Sequence, residues 1–249
     1  MSGPPAPSPW RLSRRIGSMR WDRLAIVALI LLAIGVALRS WLHDNPGHNP
    51  WAPLDLRDEP GWATPRKLVS LRGDPVQCRA VLQRSDVVFT ALEPAGDGPC
   101  RREDRTVLPD YPLSPAAPPI TCPVAAAMEV WLSRGVQPAA RETLDQEVAR
   151  IEHFGSYSCR RLYGGVDGPW SEHATGNAID ISAFVLADGS RVSVLGDWTG
   201  ENEQARFLRR VRDASCEVFG TVLSPDYNDA HADHFHLDQK GWGFGGVCR

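Results

Sequence analysis

The sequence predicts an α+β fold: a small antiparallel sheet with helices packed on it, behind an N-terminal transmembrane helix. Three observations predict it. One uncharged apolar run lies near the N-terminus. Strand-like and helix-like segments then mix without a regular βαβ alternation. Six cysteines are spread through the part that follows. A length of 249 residues suits one sizeable domain plus an anchor. Hydrophobic residues make up 43% and charged residues 23%, the composition of a globular chain. A net charge of -3 gives no basic face for nucleic acid, so no such partner is expected.

The apolar run is Leu24 to Leu38, LAIVALILLAIGVAL, with Arg39, Trp41 and Leu42 behind it. It is short for a full span, but Arg23 and Arg39 can snorkel and Trp41 suits an interface. Arg11, Arg14, Arg15 and Arg20 precede it, with no acid before Asp22. The positive-inside rule then leaves 1–23 in the cytoplasm, 24–42 in the membrane and the rest outside. A cleaved signal peptide has the same layout but lacks a small-residue cleavage site here. The stretch 43–66 is rich in Pro, Asp, Asn and Trp, has no apolar period and reads as a linker. The folded domain is expected over 67–249.

Within it, Val87 to Phe89 reads as a short strand, and Pro109 to Pro119, with five prolines, as a loop. Val124 to Leu132 reads as a buried helix. Pro138 to His153 reads as an amphipathic helix, because Leu144, Val148 and Ile151 recur at spacings of four and three. Tyr157 to Arg160, Ala178 to Leu186, Arg191 to Leu195 and His234 to Leu237 read as strands. Glu201 to Phe219 reads as a helix with Phe207, Leu208, Val211 and Val218 on one side. None of the cysteines forms a C-x-x-C pair, so three disulfides in an oxidising compartment are expected. Sequence alone does not choose among the pairings; the sequential one is Cys78–Cys100, Cys122–Cys159 and Cys216–Cys248.

Four of the seven histidines fall in two segments, Ser171–Ile181 (SEHATGNAIDI) and His231–Asp238 (HADHFHLD). A catalytic zinc site takes three protein ligands and keeps one position open. His173 and Asp180 are separated by Gly176, whose freedom at positive φ lets a loop residue and a strand residue converge. His234 and His236, two apart, share one face of a strand and supply one ligand and one further polar group. Asp238 reads as a solvated strand end. His43 and His48 read as solvated, and His153 as a cap at a helix C-terminus. Trp170, Trp198 and Trp242 suit either a groove or the core.

These segments resemble the extensin-like C-terminal domain family of bacteria. The resemblance rests on Ser171–Phe184 (SEHATGNAIDISAF) and Asp226–Asp238 (DYNDAHADHFHLD), with Cys122-Pro123, Tyr157-Ser158-Cys159-Arg160 and Cys248-Arg249. No serine-polyproline repeats occur, so a structural wall role does not follow from the family's name. The same motifs look like those of the D-Ala-D-Ala carboxypeptidase and murein endopeptidase superfamily, the lysostaphin-type group. That likeness implies Zn2+ held by His173, Asp180 and His236. It also implies a general base from Asp233 or the histidines His231 and His234. Arg160 is expected to bind a peptide carboxylate, and Ser171 and Asn177 to orient ligands.

The expected function is a periplasmic zinc-dependent peptidase acting on peptidoglycan stems or cross-links. It would be held in a bacterial inner membrane by a single pass. The rival expectation is a non-catalytic, zinc-containing wall-binding or scaffold domain.

Overall fold

The computed structural model describes residues 19–240 and 247–249. Arg11, Arg14, Arg15 and Trp242 lie outside them. The chain divides into two units after Asp44. In the first, helix α1 covers Arg20–Asp44. Its 25 residues exceed the apolar run because Trp21, Arg23 and Leu42 continue the helix. At about 1.5 Å per residue it is longer than the roughly 30 Å apolar layer of a bilayer. An 18-residue window of it has a mean hydropathy of 2.3, apolar enough to cross a membrane or to serve as a signal sequence.

The second unit runs from Asn45 to Arg249. The stretch 45–66 is therefore part of the domain rather than a free linker. Leu56 and Ala63 are buried in it. Ser85 Oγ accepts the Leu56 N–H at 2.9 Å, and Lys67 Nζ donates to the Pro46 carbonyl at 2.9 Å. Helix α2 (Thr64–Ser70) begins ahead of Lys67. Helix α3 (Pro75–Arg84) is started by Asp74, whose carboxylate accepts the Gln77 N–H. Strands β1 (Thr90–Leu92) and β2 (Arg105–Val107) form a separate antiparallel pair. The expected strand Val87–Phe89 does not form, and β1 begins at the next residue; the Val87 N–H instead closes the end of α3 on the Leu82 carbonyl. The proline-rich loop contributes the two-residue strand β3 (Leu113–Ser114).

Helix α4 (Cys122–Val130) passes through a π-helical turn, Trp131–Val136, into α5 (Gln137–Leu144). There the expected helix 138–153 stops. Asp145 is left-handed at φ 53°, and Val148–Gly155 is strand β4. Val148 and Ile151 are buried three apart because the register with the next strand shifts between Val148 and Arg150. That bulge imitates a helical spacing.

The main sheet follows the order β3-β4-β5-β8-β7-β9, with β6 also on β5. Its members are β5 (Ala178–Leu186), β6 (Arg191–Ser193), β7 (Thr221–Leu223), β8 (Phe235–Asp238) and β9 (Val247–Cys248). Pairing is antiparallel except for β3–β4 and β7–β9. Two short helices separate these strands, α6 (Val194–Asp197) and α7 (Glu203–Cys216). α6 takes the end of the expected 191–195 strand, since Ser193 Oγ caps it on Gly196 N–H. α7 buries Phe207, Leu208 and Val211 on one face and turns Arg206, Arg209 and Arg210 outward. Phe207 meets Phe184 of β5 edge-on at 5.2 Å, and Trp131 lies between Phe184 and Phe219. Trp198 is core, packed on Phe235. The expected strand Tyr157–Arg160 does not form: Arg160 N–H turns back to Ser158 O, Ser158 N–H goes to His173 O, and Ser171 N–H goes to Arg160 O.

The disulfides are Cys78–Cys122, Cys100–Cys159 and Cys216–Cys248. The last agrees with the sequential pairing; Cys78–Cys100 and Cys122–Cys159 do not form. Cys78 lies on the buried face of α3, which packs on α4, where Cys122 is the first residue, with Cα atoms 6.0 Å apart. Cys159 instead ties the segment ahead of the His173 turn to the loop at Cys100.

Candidate metal centre

His173 sits in a 3-10 turn, Glu172–Thr175. Ser171 Oγ accepts the His173 N–H, and Gly176 closes the turn at φ 72°, where a residue with a Cβ is strained. The chain then enters β5, and Asp180 lies directly opposite His236 of β8. Ile179 and Ile181 point the other way and are fully buried. The expected alternation of polar and core faces therefore holds at this point of the strand.

Three donor atoms meet at the floor of an open cleft of about 360 Å³. His173 Nε2 is 3.0 Å from His236 Nδ1 and 3.2 Å from Asp180 Oδ1, and His236 Nδ1 is 3.0 Å from Asp180 Oδ1. A tetrahedral zinc with N and O donors at ~2.0–2.1 Å holds those donors roughly 3.3 Å apart. The triangle has nearly that size, and the donor set of two imidazoles and a carboxylate is one zinc accepts. The residues present fit the ion.

Both imidazoles are fixed from behind. His173 Nδ1–H donates to the buried Ser156 carbonyl at 2.7 Å, so Nε2 faces the cluster. His236 Nε2–H donates to Asp238 Oδ2 at 2.9 Å, so Nδ1 does. Asp238 is only 3% exposed, which corrects its reading as a solvated strand end. A signal for it was present: residues 236 and 238 of one strand share a face. Imidazole ligands held by a carboxylate or a carbonyl are the common arrangement at metal sites.

Glu172 was also missed. Its Oε2 accepts from Arg72 at 2.8 Å and from Asn177 Nδ2 at 2.6 Å, while Asn177 Oδ1 accepts from Thr121 Oγ at 2.8 Å. Asn177 thus braces the His173 turn through Glu172 and touches no ligand side chain. Ser171 likewise acts on the backbone of His173.

His234 stands beside the triangle, its Nε2 3.7 Å from Asp180 Oδ1. Its Nδ1–H donates to Asp233 Oδ1 at 2.8 Å. Asp233 lies behind His234 and is absent from the cleft lining, whereas His231, His234 and Arg160 line it. His231 Nδ1–H donates to Asn228 Oδ1 at 2.7 Å, and its ring lies 5.1 Å from that of His234. The Arg160 side chain is exposed at the cleft wall. His153 lies apart in β4, Nε2 against the Ala116 carbonyl. His48 meets the Trp62 N–H.

Charge and burial oppose each other here. Burial disfavours an ionised Asp180, yet the hydrogen bonds from His173 and His236 outweigh it and hold the carboxyl well below its usual range. Burial likewise disfavours a charged His236, but Asp180 and Asp238 raise it to about 9. His231 goes down to about 4, through burial and then the charges of His234 and His236.

Fold and site together define a mixed α+β domain carrying a candidate mononuclear metal centre of two histidines and one aspartate. The chain belongs to the extensin-like protein C-terminus family, whose model matches residues 76–249 and so includes every residue of the cluster. Comparison with curated proteins and with solved structures found no match.

Proposed function

We propose that the domain is a zinc-dependent peptidase of the D-Ala-D-Ala carboxypeptidase and murein endopeptidase type, acting on peptidoglycan peptide. The observation that carries this reading is the donor triangle at the floor of an open cleft, flanked by a carboxylate–imidazole pair. A zinc ion held by His173, Asp180 and His236 supplies Lewis acidity toward water and toward a peptide carbonyl. His234 is the general base: its Nε2 takes the water proton and returns it to the leaving amine. Asp233 holds the Nδ1–H and stabilises the imidazolium, so it positions the base and does not itself act as base. His231, neutral and with its Nδ1–H on Asn228, presents a lone pair at Nε2 and suits a water or a substrate N–H. Arg160 offers its guanidinium to a substrate carboxylate.

Three disulfides suit an oxidising compartment. With basic residues ahead of one apolar helix, they support a periplasmic domain on a single-pass inner-membrane anchor. The central antiparallel strands, with ligands on two neighbours, fit the carboxypeptidase-like arrangement.

The test is digestion of purified muropeptides by the full chain in detergent, read by mass spectrometry, with His236→Ala and added chelator as controls. A product lost in both controls is expected, and its mass names the bond. Zinc bound stoichiometrically with no product from any wall preparation would replace this reading with a zinc-containing wall-binding module.

A further inference from the structure

We propose that Phe154 forms the wall of a leaving-group subsite beside His234, selecting substrates whose leaving amine sits at the end of an aliphatic arm, as in a peptide cross-link. The inference rests on the zinc peptidase reading above and adds which kind of substrate the cleft takes.

The first observation is the register of β4 against β5. His153 pairs with Ile181 and Gly155 pairs with Asp180. Two steps along β4 thus match one step along β5, and Phe154 is the extra residue. It is inserted beside the metal-ligand candidate Asp180. Gly155 follows at φ 110°, a conformation open to glycine that lets the strand bend there. A bulge re-aims a side chain, and bulges gather next to active sites.

The second observation is where the re-aimed ring goes. Phe154 meets the His234 imidazole edge-on, with centroids 5.8 Å apart and planes at 71°. Phe154 is not among the residues that line the cleft itself; it stands at the edge beside His234 and is 61% exposed. A phenylalanine that far out of the core contributes little to folding, and its apolar face is available to something that arrives from solvent.

The third observation is chemical. In the proposed mechanism His234 Nε2 delivers a proton to the leaving amine, so that amine must lie next to His234. The group attached to the amine then lies along whatever borders His234, and Phe154 borders it. A ring edge and face match methylenes; they offer nothing to the carboxylate of a single small amino acid. A leaving group carried on a chain of several methylenes therefore gains contact at Phe154 that terminal D-alanine does not.

The experiment uses two synthetic probes with the same acyl half. One carries D-alanine as leaving group; the other carries lysine joined through its side-chain amine. The kcat/KM ratio, lysine probe over D-alanine probe, is measured for the full chain in detergent. It is measured again for Phe154→Ala and Phe154→Leu. Equilibrium binding of both probes to the chelator-treated protein is measured alongside. The ratio is expected to fall about tenfold in Phe154→Ala, which is ~1.4 kcal/mol, and to recover in Phe154→Leu. Binding of the lysine probe should weaken in parallel. An unchanged ratio, or an equal loss on both probes, overturns the subsite. If the wild type hydrolyses neither probe, the peptidase reading fails, and binding decides the subsite. Preference for the lysine probe lost in Phe154→Ala supports it; equal binding of both probes refutes it.

Discussion

Replacing Asp238 by asparagine tests the centre from behind the ligand candidate His236. The carboxylate is 3% exposed. One oxygen accepts His236 Nε2–H at 2.9 Å and the other accepts the Lys240 N–H at 2.7 Å. Asparagine has the same shape but only one acceptor. If its Nδ2 faces His236, the imidazole must accept there and carry its proton on Nδ1, the atom that points at His173 and Asp180. If its Oδ1 faces His236 instead, the Lys240 N–H is left with a donor opposite it. Either orientation weakens the ligand. Loss of a group that orients a ligand costs 10–100-fold in metal affinity as a rule, about 1.4–2.8 kcal/mol. The wrong tautomer places this case near the upper end. The assay is competition for zinc between the full chain in detergent and a chromophoric chelator at neutral pH, with circular dichroism to verify the fold. A dissociation constant within threefold of wild type in a folded Asp238→Asn variant would refute the assignment of His236 Nδ1 as a ligand.

Zinc affinity should depend on pH through His236. His236, held up to about 9 by its two carboxylates, must give up one proton before Nδ1 binds an ion, whereas Asp180 is already ionised. Affinity is therefore expected to rise about tenfold per pH unit from roughly 6.5 to 9 and then level off. The same competition assay across pH checks this, and a flat profile contradicts it. For the metal-free protein the sign reverses. A histidine raised from 6.5 to about 9 contributes its full stability below pH 6.5 and loses it as pH rises through 9. Glu129 of α4 gives an independent test. Burial pushes its carboxyl from 4.5 up to about 7, so the native state binds a proton the unfolded chain has lost, and stability falls as pH rises across that window. Glu129→Gln should raise the melting point at pH 8, by about 2 kcal/mol of stability, and leave it unchanged at pH 4. Equal shifts at both pH values would show that its ionisation costs nothing.

What the sequence disclosed and what it hid have separate physical causes. β5 was readable to the residue, because Ala178–Leu186 is rich in branched apolar residues and bounded by turn signals. α7 was readable because its buried positions keep a helical period. His173 and Asp180 could be brought together from the spacing around Gly176, whereas the choice of His236 over His234 came only from the family resemblance, since both share one strand face. β4 was not readable. Its bulge placed Val148 and Ile151 three apart, a period that belongs to helices, and only the partner strand reveals the extra residue. The pairing of Cys78 with Cys122 depends on α3 lying against α4, which no local pattern encodes. Asp238 was hidden by its position at a strand end, where a carboxylate is ordinarily solvated; His236 is what draws it inside.

The pairing of Asp180 with His236 has a consequence for how the chain reaches its native state. The two residues come from motifs 56 positions apart and meet only because β5 and β8 zip in one register. A slip of a single residue would present Ile181 or Phe235 to the cleft and send a ligand into the apolar layer. An ion with affinity for the centre therefore discriminates between registers, stabilising the correct alignment and no other. A metal bound there would proofread the sheet, and the two motifs would keep their alignment whatever the length of chain between them.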